Sequence, residues 1–212
     1  MPFMKKIAQI ISALFHPILL PLYGIFCFFY ASPFSLIPVP GSYRWIVIAG
    51  TFLYTLVLPV LIWWWMKKTG VVSDIHVRER KERTALYLAT TILYFVWFYF
   101  LWRLARMSHM VVAGALGVML INLFVMLINL RWKVSAHAAA CGGVVGVVIS
   151  LSYLLYMNPL LVLSVLLVFS LVVMLSRLVL HEHSPLQVIV GFYVGIVGVV
   201  LAYLFCYQFL FV

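Results

Sequence analysis

Seven apolar stretches, near 10–30, 45–65, 84–104, 110–130, 136–156, 160–180 and 186–210, are separated by short polar knots. Each runs for about 20 residues, the length of a helix that crosses a ~30 Å hydrocarbon core. The apolar residues go all the way round rather than alternating, so the pattern predicts an all-α bundle of about six to seven membrane helices. His16-Pro17 and Pro21 interrupt the first stretch and Pro59 the second, and are read as kinks that neighbouring helices tolerate. Pro33, Pro38, Pro40 and Gly41 mark a non-helical linker within Ser32–Arg44. His16 is read as a packing histidine.

Counting crossings groups the polar knots. With seven spans, the N-terminus, the loop Met66–Arg83, the turn Arg131–Ser135 and the turn His181–Pro185 all fall on one side of the bundle. That arrangement is what a site shared among the three knots requires.

Composition excludes a soluble domain: 67% of the 212 residues are hydrophobic and the mean hydropathy is +1.21. No repeat or composition shift divides the chain, so 1–212 is expected to be one integral-membrane domain. Lys5 and Lys6 before an apolar run resemble the start of a signal peptide. That run continues past Tyr30 without a small-residue cleavage pattern and is read as a first membrane helix. Cys27, Cys141 and Cys206 lie in apolar surroundings without CxxC spacing, which predicts neither a disulfide nor a metal site.

The formal charge is +10, from 14 Lys and Arg against 4 acids. On a membrane protein such an excess points to cytoplasmic loops or anionic head groups, and without a soluble region nucleic acid is a poor partner. Most of the cations fall on the side of the polar knots, and only Arg44, Arg103 and Arg106 on the other. By the positive-inside rule the knots would face the cytoplasm, but a phosphate site collects cations for its own reasons, and the compartment stays open.

Chemistry-bearing residues concentrate in the knots. The last contains Ser176, Arg177, His181, Glu182, His183 and Gln187, in a chain where only 8% of residues are charged. On an unbroken helix Arg177 and His183 would point about 240° apart, so they converge only if the backbone turns, as Pro185 predicts. The second knot is Arg131-Trp132-Lys133-Val134-Ser135-Ala136-His137, at the start of a helix. Free backbone N–H groups and the positive helix end there suit a phosphate; Ser135 also reads as an ordinary N-cap. Arg83 closes the first knot.

The spacing Ser-Arg, five residues, His, followed by Gly191, resembles the third signature of the type 2 phosphatidic acid phosphatase (PAP2) superfamily. Ser135-Ala136-His137 is similar to its second signature, Pro-Ser-Gly-His, with Val134 for proline and Ala136 for glycine. Arg83-Thr84 matches the Arg-Pro end of the first; the lysine expected seven residues earlier is His76, with Arg78, Arg80 and Lys81 nearby. The resemblance covers residues 74–195 and implies a divergent bacterial member in the cytoplasmic (inner) membrane.

It also implies roles. Arg177, Arg83, Ser135, Ser176, His76 and Lys81 would hold phosphate oxygens. His183 would attack phosphorus, and His137 would protonate the leaving group and then activate water, with no metal or cofactor. Gln187 stands where the family has the aspartate that orients the nucleophilic histidine. A glutamine carbonyl accepts the same hydrogen bond without supplying charge, which leaves open a slower enzyme, a substitute acid such as Glu182, or a relative without turnover. Glycines 142, 143, 146, 191, 195 and 198 are expected to bring helices together, and Trp63–Trp65, Trp97 and Trp102 to anchor the interface.

Two functions follow as expectations. One is hydrolysis of a membrane lipid phosphate: phosphatidate, phosphatidylglycerophosphate, a polyprenyl pyrophosphate or a lipid A phosphate. The other is binding or transport of phosphorylated lipids without turnover. Vanadium-dependent haloperoxidases share such a pocket but are soluble.

Overall fold

The computed structural model describes residues 2–30, 40–73, 80–105 and 107–210. Among these residues there is no strand, and six helices are long and apolar enough to cross a membrane: Gly41–Lys68, Lys81–Leu104, His109–Asn129, Ala136–Leu154, Leu160–Val179 and Pro185–Leu210. The chain is a multi-pass membrane helical bundle.

The first predicted span, 10–30, is not one helix. The backbone forms α1 (Pro2–Leu14), turns through Phe15–Leu19 and resumes as α2 (Leu20–Tyr30). Pro17 lacks the N–H a continuing helix needs and disfavours helical geometry at His16, so the chain breaks where a kink was expected. α2 has 11 residues, about 16 Å of rise and too short to span alone. α1 packs along α8 (Leu160–Val179) through Ala8 and Ser12, while Phe3, Ile7, Ile10 and Leu14 form an exposed apolar stripe on its other side.

Pro59 has a different outcome. α3 (Gly41–Phe52) and α4 (Leu58–Lys68) join through a π turn at Leu53–Val57, whose longer-reach bonds carry the helix past the missing N–H. α5 (Arg80–Tyr99) ends in a second π turn, Phe100–Leu104; α6 (His109–Asn129), α7 (Ala136–Leu154) and α9 (Pro185–Phe205) complete the bundle.

α7 and α9 form the closest pair. A Cβ on Gly142 would run into the Phe192 carbonyl, and one on Gly195 into the Ala139 carbonyl. In lipid, helix pairing rests on such close packing rather than on expelling water. Asn122 on α6 clamps α5 by donating to the Tyr87 carbonyl at 2.9 Å and to Thr91 Oγ1 at 2.7 Å. α8 turns a narrow stripe inward, Ser170, Val173 and Ser176, and leaves most of its other residues to the lipid.

The tryptophans divide. Trp63 and Trp64 lie under the ammonium groups of Lys67 and Lys68, at 5.6 and 5.4 Å, as interface residues do. Trp97 is a core residue instead, stacked on Tyr54 at 5.3 Å and packed among Val47, Ile48 and Phe98.

The turn from α8 to α9 is a Schellman motif: His181 N–H bonds the Leu178 carbonyl and Glu182 N–H the Arg177 carbonyl. Ser184 and Gln187 then form a capping box, with Pro185 in the first turn of α9. His181 occupies the left-handed position, φ 54°, where glycine is the comfortable residue. His181→Gly is expected to stabilise the protein by about 0.5 kcal/mol, the strain relieved less the added unfolded-state entropy. Thermal unfolding in detergent is the check, and a lower Tm would contradict the strain argument.

Candidate active site

The three knots meet at one end of the bundle. Lys133, in the α6–α7 turn, donates to the Glu182 carbonyl at 2.7 Å and lies 3.9 Å from its carboxylate. Ser135 N–H donates to the Gln187 carbonyl at 3.2 Å, tying the α7 start to the first turn of α9. Ser135 itself is fully buried and its hydroxyl caps α7 by accepting from Ala138 N at 3.4 Å. The first-turn amides of Ala136 and His137 have no intrahelical acceptor by helix geometry, so they are what the α7 N-terminus offers an anion.

His183 leads into α9 and Gln187 lies one turn inside it. Gln187 Oε1 accepts from Ser184 N–H at 3.1 Å and sits 3.2 Å from His183 Nδ1. An atom that accepts from a backbone N–H is the amide oxygen, so Nδ1 is the donor and carries the proton. Nε2 is then unprotonated and available as a nucleophile. Burial first, then the charges of Lys133 and Arg177, push the pKa of His183 down to about 4, which keeps it neutral near pH 7. Glu182 pairs with Lys133 while Gln187 takes the Nδ1 contact.

Arg177, in the last turn of α8, donates from Nη1 to Ser12 Oγ at 3.0 Å, and its buried Nε has no partner among the described residues. Arg83 on α5 likewise has a buried Nε without a partner. Its helix start is fixed by Glu82, which accepts from Ser73 N at 2.9 Å and Ser73 Oγ at 2.7 Å. Thr84, where the family has proline, accepts from Asn129 Nδ2 at 3.1 Å and so ties α5 to α6. Burial, with the charges of Arg83 and Arg177, lowers the pKa of Lys133, and Glu182 opposes that shift. The three cations are thus near enough to act on one another, an arrangement that favours an anion among them.

Ser176 is buried and donates to the Val173 carbonyl at 2.6 Å, so its hydroxyl serves the helix and α1. Lys81 is exposed on the first turn of α5. His76 lies outside the described residues.

Sequence reasoning missed the contribution of α1. His137 Nε2 is 3.1 Å from the Ser12 carbonyl, and the His16 ring lies edge-on to His137 with centroids 5.3 Å apart. Lys133 was visible as a charge but was given no role.

Residues 129–210 match the family model of the PAP2 superfamily. No curated protein and no solved structure matches the chain. The matched segment holds Lys133, His137, Arg177, His183 and Gln187, and the clustering of these side chains at one end of the bundle agrees with the match. Through that segment, the chain is similar to the PAP2 superfamily.

Proposed function

We propose that this protein hydrolyses the phosphate ester of a membrane lipid through a phosphohistidine on His183, in a bacterial cytoplasmic membrane. The family match over residues 129–210 supports phosphatase-type chemistry. The observation that carries the finer reading is the buried, unpartnered Nε donor of Arg177, with a like donor on Arg83, in a site where Gln187 takes the Nδ1 side of His183. Buried guanidinium donors without acceptors are costly unless a ligand supplies the oxygens.

In this scheme Arg177, Arg83 and Lys133 hold the non-bridging oxygens, with the Ala136 and His137 amides at the helix mouth. The Nε2 lone pair of His183 attacks phosphorus and the phosphorus–ester oxygen bond breaks. His137, as imidazolium, gives its proton to the departing alkoxide. Water then attacks the phosphohistidine, passes its proton to His137, and the P–N bond breaks to release orthophosphate. A lipid rather than a soluble ester is favoured by an entirely apolar groove of about 440 Å³ between α6 and α9, lined by Leu127, Ile128, Val190 and Val194. Val190 follows Gln187 by one helical turn, so a chain in this groove lies beside the head-group site. The test is orthophosphate release from phosphatidate, phosphatidylglycerophosphate and a polyprenyl pyrophosphate by the purified protein; no release from any of them sinks the reading.

Gln187 gives a second test. Its oxygen already reaches both Ser184 N–H and His183 Nδ1, so glutamate keeps the reach and the capping box while adding charge. An anion beside His183 favours its protonated form, so the pKa rises. Gln187→Glu is therefore expected to move the acid limb of kcat/KM up by about 1–3 pH units and to raise turnover near pH 7. An unmoved acid limb would show that Gln187 does not face the nucleophile.

A further inference from the structure

Ser12 lies on a helix outside the matched segment and touches three residues of the site. Its hydrogen bonds can be assigned. Ser176 uses its one hydroxyl proton on the Val173 carbonyl, so the 3.1 Å contact between Ser12 Oγ and Ser176 Oγ is donated by Ser12. Ser12 Oγ then accepts from Arg177 Nη1 at 3.0 Å, and the Ser12 carbonyl accepts from His137 Nε2 at 3.1 Å. One residue thus offers an oxygen to the guanidinium and another to the acid histidine. In the reaction above, these two groups hold a phosphoryl oxygen and the leaving oxygen.

We propose that Ser12 is a specificity-determining residue of this site: it fills the positions of the phosphoryl and leaving oxygens, and a substrate enters by displacing it. The inference rests on the phosphate-site reading above. A ligand has to replace both contacts at once, which a phosphate ester does and a single-atom anion or a water does not. The displaced segment has somewhere to go. α1 is held to the bundle on one face only, and its opposite face is the apolar stripe Phe3, Ile7, Ile10 and Leu14, with Lys6 between the two faces. Such a helix is stable on a membrane surface. His16, whose ring lies edge-on to His137, accepts from Ile18 N–H at Nδ1 over 3.4 Å. That leaves Nε2–H as a donor next to the acid histidine.

The test is anion binding, which does not depend on turnover. Calorimetric titration of the full chain in detergent with orthovanadate and with orthophosphate is compared for the wild type and Ser12→Ala. Losing the competing hydroxyl is expected to tighten vanadate about tenfold, the order expected for one hydrogen bond to a charged group. Weaker binding in Ser12→Ala would make Ser12 a prop for Arg177 and overturn the proposal, as would equal binding. If neither protein binds either ion, the phosphate-site reading fails and takes this one with it. A direct readout uses Ser12→Cys in a Cys27→Ser background: the thiol, buried in the resting protein, is expected to react several-fold faster with a maleimide when vanadate is present. An unchanged rate would mean that α1 stays in place with the site filled, against the proposal.

Discussion

His183→Ala is expected to release no orthophosphate above background while keeping the fold and the capacity to bind the anion. The side chain lies in the short turn between α8 and α9 and belongs to no hydrophobic core. Its removal leaves Gln187 Oε1 still accepting from Ser184 N–H, so no buried acceptor is orphaned and the start of α9 keeps its capping box. What is lost, on the proposed mechanism, is the atom that splits one difficult displacement into two easier ones. Removing the nucleophile of a covalent mechanism costs on the order of 10³-fold or more in kcat. Phosphate release, thermal unfolding and vanadate binding separate the possibilities. A variant with near wild-type turnover removes His183 as the nucleophile, whereas one that no longer binds vanadate has lost the site rather than the step. Brief exposure to labelled substrate adds a chemical check. An acid-labile, base-stable phosphoryl label belongs on the wild type and is absent from the variant.

Much of this site was legible because it is built from local signals that survive in a one-dimensional pattern. The turn between Arg177 and His183 could be foreseen from the mismatch of their helical angles and from Pro185. The structure builds it as a Schellman motif followed by a capping box, from Ser184 and Gln187 among others. The meeting of the knots followed from counting spans. The first span failed because a proline pair inside an apolar run reads equally as a kink or a break. Which one wins depends on whether a neighbour takes the freed carbonyls. At Pro59 a π turn absorbs the defect within one helix; at Pro17 the chain parts into α1 and α2. That Trp97 packs in the core could not be read either, since hydropathy does not say which face of a wholly apolar helix meets protein and which meets lipid. Ser12 could not have been found from the sequence. A lone serine in an apolar run carries no motif, and its partners Ser176 and Arg177 lie 164 and 165 positions away.

Gly195→Val is expected to abolish the proposed phosphatase activity as thoroughly as a change in the site, from the middle of the bundle. A Cβ at Gly195 would run into the Ala139 carbonyl and stand 2.6 Å from the Gly143 nitrogen. These are backbone atoms of α7, which cannot rotate aside as a side chain would. The two helices have to separate, and Gly142 against the Phe192 carbonyl lies in the same seam. Overpacking a core costs about 1–3 kcal/mol where side chains can adjust, and a backbone clash belongs at the upper end or beyond. The chemical cost is larger than the stability cost. α7 carries His137 in its first turn and α9 follows His183, so prising the seam apart moves the proposed acid and nucleophile relative to each other. A misplacement of about 1 Å costs on the order of 10²-fold in rate. Gly24→Ala is the control, because nothing lies within 4 Å of the Cβ it would add; it is expected to retain activity. The comparison is kcat and Tm for the two variants on one lipid phosphate. If Gly195→Val keeps wild-type turnover, the α7–α9 seam does not set the spacing of the two histidines.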